Sequence, residues 1–279
     1  MWAPPVEKRE ISVPGGKWDE LEREYRLLAC LQCGRAGTKV FRAIKRTNAA
    51  MVAIKVSPGC TQEQKRYCRT EAYILAVYRH PRIVQYVGHI EDNARFAIAL
   101  ELCSGDLYDT ITTRGPNPPY VTLRNEFTQI VSAVQYLHSY GIAHLDIKPE
   151  NVLRTTRGWV LADFEFARSF ANGERLTTSQ GTVYYAAPEL VQRAPPLAEM
   201  APVDVYAMGV MLYVMCTVDF PFPGEEVPEI AERIRSGVYN IPAWIAPDLA
   251  STISQCMQMD PIMRPGADVL AAEYLGLRA

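Results

Sequence analysis

The chain has 279 residues, with 29 lysines and arginines against 31 aspartates and glutamates, a net charge of −2 and 48% hydrophobic content. These values describe a globular chain of one large domain or two coupled lobes, and they exclude a disordered polymer. The near-neutral charge gives no electrostatic footprint for nucleic acid, and no apolar run approaches the roughly 20 residues that span a bilayer.

Met1 to Gly16 hold no basic region followed by an apolar stretch, so no secretory signal is read there. With its prolines and glycines, the segment 1–18 reads as an irregular leader. Short β-leaning apolar runs follow at Tyr25–Leu31, Val40–Ile44, Met51–Val56, Val84–His89 and Ala97–Leu102. Among them one helix is expected over Thr61–Tyr78, capped by Thr61 and carrying Glu71, Ile74, Leu75 and Tyr78 at helical spacing. After Gly105 the texture turns helical, at Val121–Ser139, Val203–Cys216 and Asp248–Gln258, with proline and glycine clusters between. A small sheet-bearing lobe therefore precedes a larger helical one. The seam falls at 101–105, and a cleft at such a seam is the default place for a ligand.

Seven scattered cysteines read as free thiols in a reducing compartment, the cytosol or nucleus. Cys30 and Cys33 form a lone Cys-x-x-Cys without a second pair or a nearby histidine, and they read as thiols packed in a strand and not as zinc ligands.

The stretch with most chemistry is His144-Leu145-Asp146-Ile147-Lys148-Pro149-Glu150-Asn151, followed by Asp163-Phe164-Glu165. Two aspartates, an asparagine and a lysine in short loops supply hard oxygen ligands for Mg²⁺, a carboxylate that can accept a hydroxyl proton, and a cation for developing phosphate charge. Upstream, Val52-Ala53-Ile54-Lys55 ends a buried-looking strand on a lysine, and Glu71 in the following helix is a partner for it. A buried lysine without a carboxylate would be costly.

In this order and spacing the motifs resemble those of a eukaryotic protein kinase catalytic domain, over about Tyr25 to Leu277. The resemblance implies an α+β, two-lobed fold: an N-lobe (19–100) of antiparallel sheet with one main helix, a hinge (101–105) and a larger, mainly helical C-lobe (106–279). It implies ATP and Mg²⁺ as cofactors and transfer of the γ-phosphate to a protein hydroxyl. Lys55 would contact the α/β-phosphates and Glu71 would hold Lys55. Asp146 would orient the substrate hydroxyl, Lys148 would support the γ-phosphate, and Asn151 and Asp163 would bind Mg²⁺. Gly34 and Gly37 would cover the phosphates. Val40, Ala53 and Leu153 would sandwich the adenine, Leu100 would close the back of its pocket, and the backbone from Glu101 to Cys103 would bind the purine edge. Leu75, Tyr86, His144 and Phe164 match an apolar stack, with His144 neutral. By similarity Glu189 pairs with Arg264, and Asp204 anchors the catalytic-loop backbone. Lys148 and Thr182 look like the serine/threonine branch. Asp106, Glu150, Glu225 and Glu226 resemble positions that recognise basic residues in a substrate, and a regulatory partner or further modules outside this chain are compatible with the pattern.

Three departures stand out. Gln32 replaces the first glycine of the phosphate-covering loop, where glycine lets backbone N–H groups approach phosphate, so a weaker clamp is expected. Leu145 replaces the arginine that in relatives binds a phosphate on the activation segment, so activity is expected not to depend on phosphorylation of Thr178. Glu165 replaces a glycine, which restricts the backbone and adds a carboxylate. These departures also admit a second reading, a pseudokinase that binds nucleotide or acts as a scaffolding, allosteric domain.

Overall fold

A computed structural model describes residues 18–33, 37–59, 61–171, 173, 176, 182–192 and 198–275. Residues 1–17 of the expected leader, Gly34, and the stretch 177–181 that holds Thr178 lie outside them. The described residues fall into two compact units, one of residues 18–76 and 85–102 and one of 77–84 and 103–275. They correspond to the sheet-bearing and helical lobes expected from sequence. The division is not a single cut: residues 77–84, counted above with the N-lobe, group with the helical unit.

The first unit opens with a short helix, α1 (Asp19–Glu24), and continues through β1 (Tyr25–Cys33), β2 (Lys39–Lys45), β3 (Met51–Ser57), α2 (Gln62–Val77), β4 (Tyr86–Glu91) and β5 (Phe96–Glu101). The strands form one sheet in the order β1-β2-β3-β5-β4, every neighbouring pair antiparallel. Side chains alternate between the two faces of a strand. On one face Phe41, Ala43, Val52, Ile54, Val56, Ala97 and Ala99 are buried together with Trp18, Leu21 and Tyr25. Trp18 is therefore not part of a leader as expected: only 2% of it is exposed. Packing an indole into this core outweighs the local irregularity that the prolines upstream suggest, and Arg95 stacks 4.6 Å above its ring. On the other face Phe96, Ile98 and Leu100 pack with Ala72 and Cys68 of α2. Thr61 starts α2 through a reciprocal capping box: its Oγ1 accepts from Gln64 N–H at 3.2 Å, and Gln64 Oε1 accepts from Thr61 N–H at 2.8 Å.

The second unit holds α3 (Leu107–Arg114), α4 (Tyr120–Ser139), β6 (Ile142–Ala143), β7 (Val152–Thr155), β8 (Gly158–Leu161), β9 (Arg168–Ser169), α5 (Met200–Thr217), α6 (Val227–Ser236), α7 (Pro247–Cys256) and α8 (Ala267–Leu275). The face of α4 expected from its periodicity, Phe127, Ile130, Val131, Val134 and Leu137, is buried, each side chain worth about 2 kcal/mol. Helix α5 has no polar side. It is long and apolar enough by composition to cross a bilayer, but 89% of that window is buried within the protein, and Asp204 lies in its first turns with 0% exposure. Gly209 sets how close α7 comes, because a Cβ there would stand 2.7 Å from Cys256 Cβ.

Candidate active site

In the first unit the register builds one continuous surface. Val40 pairs with Lys55, Lys55 with Ile98, and Ala53 with Leu100. Directly paired residues share a face, so Val40, Ala53, Lys55 and Leu100 all lie on the face opposite the buried core. Glu71 comes to the same face from α2. Lys55 Nζ stands 3.2 Å from Glu71 Oε1 and 3.1 Å from Oε2, and Glu71 is only 2% exposed. Glu101 ends β5, and its carboxylate accepts the Gln85 N–H at 2.8 Å. Gly37 precedes β2 with φ +80°, a conformation that glycine adopts without strain. Gln32, in the first-glycine position, is exposed at the end of β1 and pairs with Val40.

In the second unit the catalytic-loop sequence converges on Asp146, which is 7% exposed. Its Oδ2 receives Lys148 Nζ at 2.7 Å and Asn151 Nδ2 at 2.8 Å, and the same amide nitrogen bonds the Asp146 carbonyl at 2.8 Å. Lys148 also reaches Thr182 Oγ1 at 3.3 Å. Both partners of the Asn151 amide are acceptors, so its nitrogen faces them and its Oδ1 is left as a hard oxygen donor. That oxygen and the Asp163 carboxylate are donors of the kind Mg²⁺ takes. His144 is fully buried, and its ring takes the tautomer with hydrogen on Nε2. That nitrogen lies 3.0 Å from the Ala162 carbonyl, while Nδ1 accepts from Asp146 N–H at 3.3 Å. Phe164 packs edge-on against it at 4.8 Å, so His144 is the stacked neutral ring expected from sequence.

Within the two motif segments 144–151 and 163–165, Leu145 with φ +65° and Asp163 with φ +61° hold left-handed backbone. Aspartate tolerates this; leucine does so only when its surroundings enforce it. Asp204 enforces it by accepting Leu145 N–H on Oδ1 at 2.7 Å, His144 N–H on Oδ2 at 2.8 Å and His138 Nε2 at 2.9 Å. The family's glycine position behaves differently: Glu165 is exposed and is not among the residues with positive φ. The glycine's freedom goes unused, and its replacement is not forced into strain. Arg264 and Glu189 form a bidentate pair, both bonds 2.7 Å.

Leu153 lies on β7 and Cys103 just after β5, both half-buried. Among the acidic positions, Asp106 is spent as the cap of α3, accepting from Asp109 N–H at 2.8 Å. Burial pushes the Glu150 carboxyl above its usual range, with Asp146 and Asp106 adding to this and Lys148 opposing it. Sequence reasoning passed over Tyr185, whose hydroxyl is buried without a hydrogen-bond partner among the described residues, and whose proton burial and Glu150 hold well above the ordinary tyrosine value. It also missed α3, although Asp106 ahead of Leu107 and Ile111 is a start signal.

The chain is similar in sequence to several protein kinases. The putative sperm motility kinase W of Mus musculus is 34% identical over 254 residues, 90% of this chain and 50% of that protein. The carbon catabolite-derepressing protein kinase of Saccharomyces cerevisiae is 33% identical over 86% of this chain and 38% of its own length. The sucrose non-fermenting protein kinase 1 of Fusarium virguliforme is 31% identical over 89% of this chain and 36% of its own. The chain thus spans half or less of these relatives. A family model for the protein kinase domain matches residues 31–275, which is most of the sequence, and the chain belongs to that family.

Proposed function

We propose that the chain is an ATP- and Mg²⁺-dependent protein kinase of serine/threonine preference. The observation that carries this is the arrangement at Asp146: Oδ2 is taken by Lys148 and Asn151, which leaves Oδ1 to accept the hydrogen of a substrate hydroxyl. Lys148 holds Asp146 in place and stands ready to meet charge on the transferred phosphate, while its contact with Thr182 ties the loop to the segment that receives the substrate. Lys55, fixed by Glu71, would orient the α/β-phosphates, and Gly34, Gly37, Val40, Ala53, Leu100, Leu153 and the backbone from Glu101 to Cys103 would take up the rest of the nucleotide. Asn151 and Asp163 would hold the metal, which when bound draws charge from the phosphate oxygens. The exposed position and ordinary backbone of Glu165 favour this reading over the pseudokinase alternative.

A basic substrate is favoured by Glu150, an exposed carboxyl that shares its surroundings with Asp146 and Asp106. Independence from Thr178 phosphorylation is favoured by Leu145, which cannot bind phosphate, and by a phosphate-free fastening of the activation segment: Leu176 and Ala198 exchange two backbone hydrogen bonds of 2.9 Å. None of the six described cysteines is in a disulfide, which fits a reducing compartment, cytosolic or nuclear.

Nucleotide binding tests the reading. ATP with Mg²⁺ at about 100 times its dissociation constant should add roughly 2.7 kcal/mol of stability. No thermal shift at millimolar nucleotide, with or without metal, would contradict it.

A further inference from the structure

The Cys30-x-x-Cys33 pair does not behave as the sequence suggests. Both residues lie on β1, and both are exposed, not packed into the core. In a regular strand residues three apart point to opposite faces. Here the pairing slips: Cys30 is opposite Phe41 and Gln32 is opposite Val40, so Leu31 is the extra residue of a bulge. The bulge turns Cys33 to the side of Cys30, and the two sulfurs stand 3.8 Å apart. Cys30 Sγ also donates to the Gln32 carbonyl at 3.5 Å.

We propose that Cys30 and Cys33 are a redox-active dithiol that closes reversibly to a disulfide by exchange with a small disulfide of the glutathione class. The Cys33 thiolate attacks one sulfur of the oxidant and bonds to it as a mixed disulfide, while the other sulfur leaves as a thiol after taking up a proton. Cys30 then gives up its proton and attacks Cys33 sulfur, expelling the second small thiol. Two protein thiols lose two protons and two electrons in total, and one small disulfide becomes two thiols. Desolvation first, then the bond to Cys33, hold the Cys30 thiol above its ordinary value, with Lys39 pulling it down. The hydrogen that Cys30 Sγ donates to the Gln32 carbonyl keeps Cys30 a thiol until the second step, which assigns the first attack to Cys33. Closure pins the Leu31–Gln32 bulge where β1 runs into the sequence carrying Gly34 and Gly37. Resting on the kinase reading above, this stiffening is expected to weaken the hold on ATP.

The test equilibrates the whole protein with graded ratios of oxidised to reduced glutathione, blocks remaining thiols with an alkylating agent, and maps the peptides by mass. The expected result is a species lacking two hydrogens, with Cys30 and Cys33 both protected and both recovered after dithiothreitol. Cys30→Ser and Cys33→Ser, exposed substitutions that leave the core untouched, should each instead retain one glutathione on the remaining cysteine. Stable glutathione on both cysteines of the wild type, or no change at the most oxidising ratio, would overturn the proposal. In parallel, oxidised protein should show a KM for ATP raised about threefold or more and restored by reduction. Closure with an unchanged KM would overturn the link to ATP. Closure in a protein that transfers no phosphate in either state would support the dithiol and overturn the kinase reading.

Discussion

Asp204 Oδ1 accepts the backbone N–H of Leu145 at 2.7 Å, and Leu145 is held at φ +65°. A leucine costs energy in this region, so the buried carboxylate of α5 maintains a backbone shape that the residue alone would abandon. The shape matters because Leu145 immediately precedes Asp146. Asp204→Ala should orphan the N–H groups of both His144 and Leu145 and lower stability by about 3 kcal/mol. Leu145→Asn, which tolerates left-handed backbone, should lose less than a leucine-to-alanine change in a full core. Urea unfolding of the two variants measures both; an Asp204→Ala protein as stable as wild type would show that the loop holds itself.

Glu165 and Asp163 are separated by Phe164 and differ in kind. Glu165 is exposed with ordinary backbone, so Glu165→Gly should leave turnover within about tenfold of wild type, under about 1.4 kcal/mol of barrier. Asp163→Asn keeps a residue suited to φ +61° and should fold normally while losing metal-dependent transfer. Single-turnover transfer at saturating ATP and Mg²⁺ separates them. An inactive wild type awakened by Glu165→Gly would favour the pseudokinase reading.

Phosphorylation of Thr178 should be dispensable. Phosphatase treatment and Thr178→Ala are each expected to change the rate by less than about tenfold. A complete loss on dephosphorylation, restored by rephosphorylation, would show that other basic residues do the work of the missing arginine.

Cys216 and Cys256 carry a pH dependence. Burial pushes each thiol from 9.0 up to about 12. The unfolded chain releases these protons near pH 9 and the folded chain only near 12. Their stabilising contribution is therefore complete below the lower value and is lost as pH rises toward the upper one. The loss is about 1.4 kcal/mol per pH unit for each thiol. Urea unfolding at about pH 8, 9 and 10 should show the decline beginning above 9, and Cys216→Ala should reduce its slope. A flat profile would mean that both thiols ionise in the folded state.

Much of this architecture could be read from sequence because its signals are local. The alternation of Val52, Ile54 and Val56 and the periodic face of α4 each reflect burial of one side of a regular element. The site motifs were legible as residue types, and the pairing of Lys55 with Glu71 follows from the cost of burying either alone. What stayed hidden depends on tertiary context. Trp18 follows a proline-rich stretch and reads as leader until its core is assembled. The contact between Cys30 and Cys33 arises from a slip in pairing with β2, which no pattern within β1 shows. Likewise the backbone of Leu145 is set by Asp204, 59 residues away.

The most direct measurement is transfer of radiolabelled γ-phosphate from ATP to a generic basic protein, with wild type beside Asp146→Ala and Lys55→Met, in Mg²⁺ and in excess chelator. Asp146 Oδ1 is the acceptor proposed for the substrate hydroxyl, so the account expects wild-type transfer that depends on Mg²⁺. It expects a loss of at least about a hundredfold in Asp146→Ala, while that variant still binds ATP. Transfer by Asp146→Ala at the wild-type rate, or none by a wild type that binds ATP tightly, would contradict it.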